Sequence, residues 1–248
     1  MRQARLMAVR KRLAALEGEG DRGVAPFGDV RVDGRLPRGG LALGHWHEVA
    51  GEGTEIETAA VASAFVTALL TPLALRGAVV WVMRRQDLYA PGLASLGFPA
   101  ERLIQVCAPS ETEALIVLED ALRAPGVVAA VGEVEALDLI AGRRLQLACE
   151  RSGATGFVIR RQLFGAKRAP DLGAAAATRW RIAPAPSEPV MGEPGLGLPR
   201  WRVELERCRG GRPGAWIMEK SNGALPLRVV AELGDRQLDP AQSFRLAG

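Results

Sequence analysis

The sequence predicts an α/β protein: a mostly parallel, twisted sheet with helices on both faces and antiparallel strands at its C-terminal end. Two observations predict it. Short apolar runs alternate with amphipathic helical segments from Ala78 to Arg161. After Arg168 the texture changes to segments that alternate apolar and polar residues, the pattern of half-buried antiparallel strands.

The elements follow in order. Residues 2–17 place Leu6, Val9, Leu13 and Leu16 on a narrow apolar stripe of a basic helix, and "GEGDRG" ends it. "GHWHEV" reads as a short strand running through "AGEGTEIE" into a helix, "TAAVASAFVTALL". "AVVWVM" is a buried strand, and "YAPGLASLGF" a short helix ended by Gly97. "RLIQVCAP" is the next strand. "SETEALIVLEDALRA" is a helix that Ser110 N-caps, with Glu113 placed to complete a capping box. "GVVAAVGEV" is a strand, "LDLIAGRRLQLACERSG" a helix ended by Gly153, and "TGFVIRR" a strand. "TRWRIAPAP", "RWRVELERCRG" and "AWIMEKSN" are the later strands. The division expected is a basic helix at 1–20, a core at 24–234 with a Pro/Gly-rich loop at 183–199, and a flexible tail at 235–248.

Composition excludes several classes. The chain has 248 residues, enough for one large α/β domain with small additions. Its longest apolar runs are broken by Ser and Thr and too short to cross a bilayer, so no membrane partner is expected. Charges threaded through the first twenty residues argue against a secretory signal, and the cytoplasm is the expected location. Cys107, Cys149 and Cys208 are far apart and flanked by apolar residues, which reads as buried thiols rather than a disulfide framework or zinc site. His45 and His47 are the only histidines; on one strand they face the same way, as polar residues at its edge. No metal site and no G-x-S-x-G nucleophile elbow is expected.

The most informative stretch is "HEVAGEGTEIETAA". Gly51 and Thr58 stand where the phosphate-loop pattern G-x-x-x-x-G-K-[ST] places its first Gly and its hydroxyl residue. The Gly and Lys before that hydroxyl are replaced by Ile56 and Glu57. The three lysines are Lys11, Lys167 and Lys220, so none lies near the loop in sequence.

The order of elements and several strings resemble the RecA/recombinase core over about residues 30–233. "LPRGGLALGHWHEVAG" looks like that family's turn and strand into the phosphate loop. "WVMRRQDLYAPGLASLGF" resembles its second core strand and helix, and "VVAAVGEVEAL" its Walker B strand. Under that resemblance, the acid that orients the attacking water falls at Arg85 and the magnesium ligand at Gly132. Phosphoryl transfer is mostly positioning and charge neutralisation, and the Lys, the metal ligand and the water-orienting acid are all missing at the matched positions. A non-catalytic protein without a nucleotide cofactor is therefore expected. The inverted charges suggest that Glu57 pairs with Arg85, or with Arg84 if the register shifts by one, inside the former nucleotide pocket.

Within that superfamily the sequence resembles the ImuA family, RecA-like proteins of bacterial damage-inducible mutagenesis operons. The resemblance implies an accessory role in SOS-induced, error-prone translesion synthesis, alongside ImuB and a DnaE-type polymerase reached indirectly, with contact to RecA. Two rival readings are a nucleotide-binding RecA-like ATPase and a SulA-like inhibitor that binds the division protein FtsZ. Partner contacts are expected at the stripe Leu6, Val9, Leu13 and Leu16, which can also serve self-association, and at Phe244 and Leu246 of the tail. From Arg151 to Arg212 there are twelve Lys/Arg against five Asp/Glu, a basic stretch that can face nucleic acid or an acidic partner. DNA contact is expected to be weak or absent, with Arg160, Arg161, Lys167 and Arg168 as its candidates.

Overall fold

A computed structural model describes residues 22–53, 55–161, 176–189, 192, 197–221, 225 and 227–233, with the backbone alone at 55–59. Nine strands form one sheet. The first core strand β3 (Trp46–Gly51) follows a two-residue hairpin of β1 (Val24–Ala25) and β2 (Leu41–Ala42). Then come α2 (Glu55–Ala74), β4 (Ala78–Met83), α3 (Ala90–Ser95), β5 (Leu103–Cys107), α4 (Glu111–Arg123), β6 (Val127–Val134), α5 (Leu139–Ser152) and β7 (Thr155–Arg160). A short α1 (Val30–Asp33) joins the hairpin strands. The chain closes with β8 (Thr178–Ala185), β9 (Arg200–Cys208), β10 (Gly214–Lys220) and β11 (Leu227–Leu233).

The sheet order is β11-β10-β9-β8-β3-β7-β6-β4-β5. Pairing is parallel from β8 through β3, β7, β6 and β4 to β5, and antiparallel from β8 outward to β11. The expected fold class is what the chain adopts. β8 is the junction, parallel to β3 and antiparallel to β9.

Strand alternation builds two cores. Val79, Trp81 and Met83 of β4 face one layer, with Ala129 and Val131 of β6 and Phe157 and Ile159 of β7. That layer is covered by α2, through Phe65, Val66, Leu69, Leu70 and Leu73, and by Leu93 of α3. Val80, Val82, Ala130 and Val158 face the other layer, under α4 and α5. The helices stop and start where local chemistry dictates. Ser110 Oγ accepts from the Glu113 N–H at 3.2 Å, and Asp138 Oδ1 accepts from the Ala141 N–H at 2.7 Å. Gly153, at φ 83°, ends α5 in the left-handed region.

The antiparallel half extends the first core. Trp180, Trp201 and Trp216 are buried there, and Trp180 stacks at a tilt on Phe27 and Phe65 with ring centroids 5.6 and 5.9 Å apart. The opposite face of the same strands carries ion pairs, such as Arg179 with Glu48 at 3.0 Å. The Pro/Gly-rich loop begins later than position 183, because β8 runs to Ala185 and Pro184 lies opposite Trp201. β3 pairs with β8 only as far as Ile182. Beyond it β8 has β9 on one side alone, and a proline costs no hydrogen bond on the open side.

The thiol expectation holds for Cys149, which is buried and pushed up to about 12 by that burial. It fails for Cys107, which is exposed at the end of the edge strand β5, while Cys208 is intermediate. Among the described residues, no helix is long and apolar enough to cross a membrane. The expected helix at 1–20 with Leu6, Val9, Leu13 and Leu16, the loop cations Lys167 and Arg168, and the tail 235–248 with Phe244 and Leu246 lie outside the described residues.

Candidate functional site

Three residues extend the inner rows of adjacent strands at the carboxyl end of the sheet. Arg85 continues Val79, Trp81 and Met83; Glu133 continues Ala129 and Val131; Arg161 continues Phe157 and Ile159. Side-chain alternation therefore aims all three toward the α2 and α3 layer. The strands that carry them, β4, β6 and β7, lie side by side.

Between β4 and β6 the chain order turns: β4 leads outward to β5, and β6 leads the opposite way to β7. Crevices of this kind, beyond the carboxyl ends of parallel strands, are where open α/β sheets bind ligands. Here the crevice opens into a cleft of about 550 Å³. Ala60, Ser63 and Ala64 of α2 form one wall. Leu88, Tyr89, Leu93 and Leu96, in and around α3, form the other.

Glu133 lies at the base, 3% exposed. Trp81 Nε1 donates to its Oε1 at 2.8 Å, and Arg161 Nε donates to its Oε2 at 2.8 Å. Burial raises the Glu133 pKa above the ordinary carboxylate value, while the charge and hydrogen bonds of Arg161 and the Trp81 N–H oppose that rise. Arg161 also donates from Nη2 to Asp87 Oδ1 at 2.8 Å, and Arg85 Nε stands 3.6 Å from Asp87 Oδ2. The result is a chain of alternating charge, Glu133–Arg161–Asp87–Arg85, running from the protein interior to the rim of the cleft. A buried carboxylate is tolerable when paired and hydrogen-bonded in this way.

This geometry sorts the residues expected from sequence. Gly51 ends β3, and the loop after it enters α2 directly, as a phosphate loop does. The loop is tied to the sheet: the Glu52 N–H donates to the Ile182 carbonyl at 2.8 Å, and the Glu52 carboxylate pairs with Arg202. Ile56, Glu57 and Thr58 occupy the start of α2, but their side chains lie outside the described residues, and so does the expected Glu57 pairing. Arg84 pairs with Glu135 at 3.1 Å and Arg85 with Asp87. Gly132 faces away from the cleft: a Cβ there would meet Leu118 of α4 at 2.5 Å. The acid of β6 that reaches the cleft is Glu133, one residue further on. Arg161, expected as a DNA contact, has a side chain only 13% exposed and is bound to Glu133 and Asp87. Arg160 is half-buried on the opposite face of β7.

The histidines are corrected as well. His45 precedes β3, and its Nδ1 lies 2.8 Å from Gln146 Nε2 of α5. His47 is fully buried on the other layer, its Nδ1 2.7 Å from Thr178 Oγ1 and its Nε2 2.9 Å from the Ala42 carbonyl oxygen. They do not share a face, because His45 stands outside the strand whose alternation was expected to align them. Burial lowers the His47 pKa to about 3. Among the described residues, no three His, Cys, Asp or Glu side chains gather into a group that could hold a metal.

Glu133 and Asp87 are the site residues that motif matching missed. Strand parity could have found Glu133, since it is in step with Ala129 and Val131. Nothing local marks Asp87, which matters only because Arg161 reaches it from another strand.

No family model matches the chain. The chain is 56% identical over 234 residues to Protein ImuA of Caulobacter vibrioides strain NA1000 / CB15N, covering 91% of this chain and 96% of that protein. Protein ImuA of the strain ATCC 19089 / CIP 103742 / CB 15 is similar to the same extent. With an identity this high over nearly the full length of both proteins, the chain belongs to the ImuA family.

Proposed function

We propose that this protein is a non-catalytic, RecA-like accessory factor of SOS-induced, error-prone translesion DNA synthesis that acts through contacts with ImuB and RecA. Its membership of the ImuA family supports a role in the damage-inducible mutagenesis system. One observation carries the non-catalytic part. The crevice where an α/β sheet of this kind would position phosphate chemistry is lined by the Glu133–Arg161–Asp87 network, with the buried carboxylate engaged by two protein donors. The loop before α2 adds Glu57 where a phosphate loop carries its Lys. A carboxylate beside a triphosphate opposes binding by like-charge repulsion.

Two measurements test this reading. Affinity capture of the tagged chain from cells with damaged DNA should recover ImuB and RecA; recovery of FtsZ in their place would transfer the protein to the cell-division reading. The purified chain should show no magnesium-dependent ATP turnover. Turnover abolished by changes at residues 51–58 would overturn the non-catalytic reading.

A further inference from the structure

Among the described residues the sheet ends at β5. Among the described strands β5 bonds to β4 alone, in parallel register from Leu103 opposite Val79 to Cys107 opposite Met83. The N–H of Ala108, just past β5, donates to the Met83 carbonyl at 2.8 Å. A strand residue sends its N–H and C=O to the same side, and the side alternates along the chain. Ile104 and Val106 therefore bond to β4, while Leu103, Gln105 and Cys107 present their backbone groups to the open side.

Natural sheets blunt such edges with charge, proline or bulges. The other edge, β11, carries Arg228 and Glu232. β5 reads Leu-Ile-Gln-Val-Cys, with no charge, no proline and no register shift against β4. Ile104 is 50% exposed, and Gln105 and Cys107 are exposed.

We infer that β5 is a homodimer contact: β5 of a second copy adds antiparallel across a two-fold axis at Gln105, making one continuous sheet. The register follows from the outward groups. With Gln105 opposite Gln105 of the second copy, Leu103 falls opposite Cys107 and Cys107 opposite Leu103. Each of these is a hydrogen-bonded antiparallel pair, so every outward N–H and C=O of β5 finds a partner. On the α4 face, Ile104 falls opposite Val106 of the second copy, which covers the exposed isoleucine. Arg102 falls opposite Ala108, so no like charges meet. A closed two-fold pairing of this kind uses the same patch on both subunits and leaves no further edge at that end.

The test is the oligomeric state of the full chain, by light scattering over a concentration series, with site-specific crosslinking. The expected result is a monomer–dimer equilibrium. Gln105→Lys sets like charges across the axis and should raise the dissociation constant roughly tenfold or more. Gln105→Pro, which removes an outward N–H that the monomer does not use, should do the same with an unchanged circular dichroism spectrum. In an antiparallel hydrogen-bonded pair the Cα atoms are about 5.5 Å apart, within disulfide reach. Gln105→Cys should therefore link into covalent dimers under a thiol oxidant much faster than Arg228→Cys on the opposite edge. A chain that stays monomeric throughout, with Gln105→Cys no faster than Arg228→Cys, would overturn the inference. So would oligomers that persist in Gln105→Lys and do not link through position 105, since another surface would then hold them.

Discussion

Arg161 closes over Glu133 at the end of the sheet: its Nε donates to Oε2 at 2.8 Å, and its Nη2 reaches across to Asp87 Oδ1 at 2.8 Å. Breaking a buried pair from one side strands a charge, whereas replacing both partners does not. Arg161→Met should cost about 3–5 kcal/mol in urea unfolding, and Arg161→Met with Glu133→Leu distinctly less. A loss below about 1 kcal/mol for Arg161→Met would place the pair among ordinary surface contacts.

The same residue sets a pH dependence. The folded-state pKa of Glu133 lies above the ordinary carboxylate value of 4.5, so the folded protein holds that proton more tightly than the unfolded chain does. Its contribution to stability is present below 4.5 and is lost as pH rises through the raised value. Arg161→Met removes the main influence that opposes the rise. The destabilisation of that variant should therefore be smallest in acid and grow toward neutral pH, as read from urea midpoints across the series. A deficit that is flat with pH would mean that Glu133 does not titrate in this range.

His47 gives a dependence of the other kind. Its folded pKa is lowered from 6.5 to about 3 by burial, so the unfolded chain binds the proton first as pH falls. Stability from this site is complete above 6.5 and is lost progressively as pH drops toward 3. The full shift corresponds to as much as about 5 kcal/mol. His47→Phe should be less stable at neutral pH, because the Thr178 and Ala42 partners are lost, but its acid limb should be flatter. Parallel acid limbs for the two proteins would contradict the assignment.

Gly132 tests the geometry of β6. An aspartate there would point into α4 against Leu118 rather than into the cleft, since even its Cβ would lie 2.5 Å from Leu118 Cδ2. Gly132→Asp should therefore destabilise by about 1–3 kcal/mol or more and gain no metal-dependent activity. Leu118→Ala added to it should recover part of the steric cost, which thermal or urea unfolding would show as non-additivity.

Rebuilding the phosphate loop should not rebuild an enzyme. Ile56→Gly with Glu57→Lys restores the pattern before Thr58, but Glu133 and Arg161 remain paired at the strand ends. No magnesium-dependent ATP hydrolysis is expected in a steady-state phosphate-release assay. Turnover in this double variant would show that the network yields to nucleotide.

What the sequence determined by itself was the local and periodic part. Strand alternation and helix caps mark β3 through β7, because each is set by neighbours along the chain: Ser110 caps α4 through Glu113, and Gly153 ends α5 by its own φ. The resemblance to the ImuA family was also legible, carried by the strings around Gly51, Arg85 and Gly132. The hairpin of β1 and β2 escaped notice, since two-residue strands leave no period to read. Tertiary structure alone decided which charges meet. Asp87, Glu133 and Arg161 are 28 residues or more apart and share no motif, yet strand order sets β6 beside β4 and β7, parity turns Glu133 and Arg161 inward, and Arg161 reaches Asp87 in the loop after β4. It also decided which side of β6 carries the acid, because a shift of one residue on a strand exchanges a cleft for the packed face of a helix.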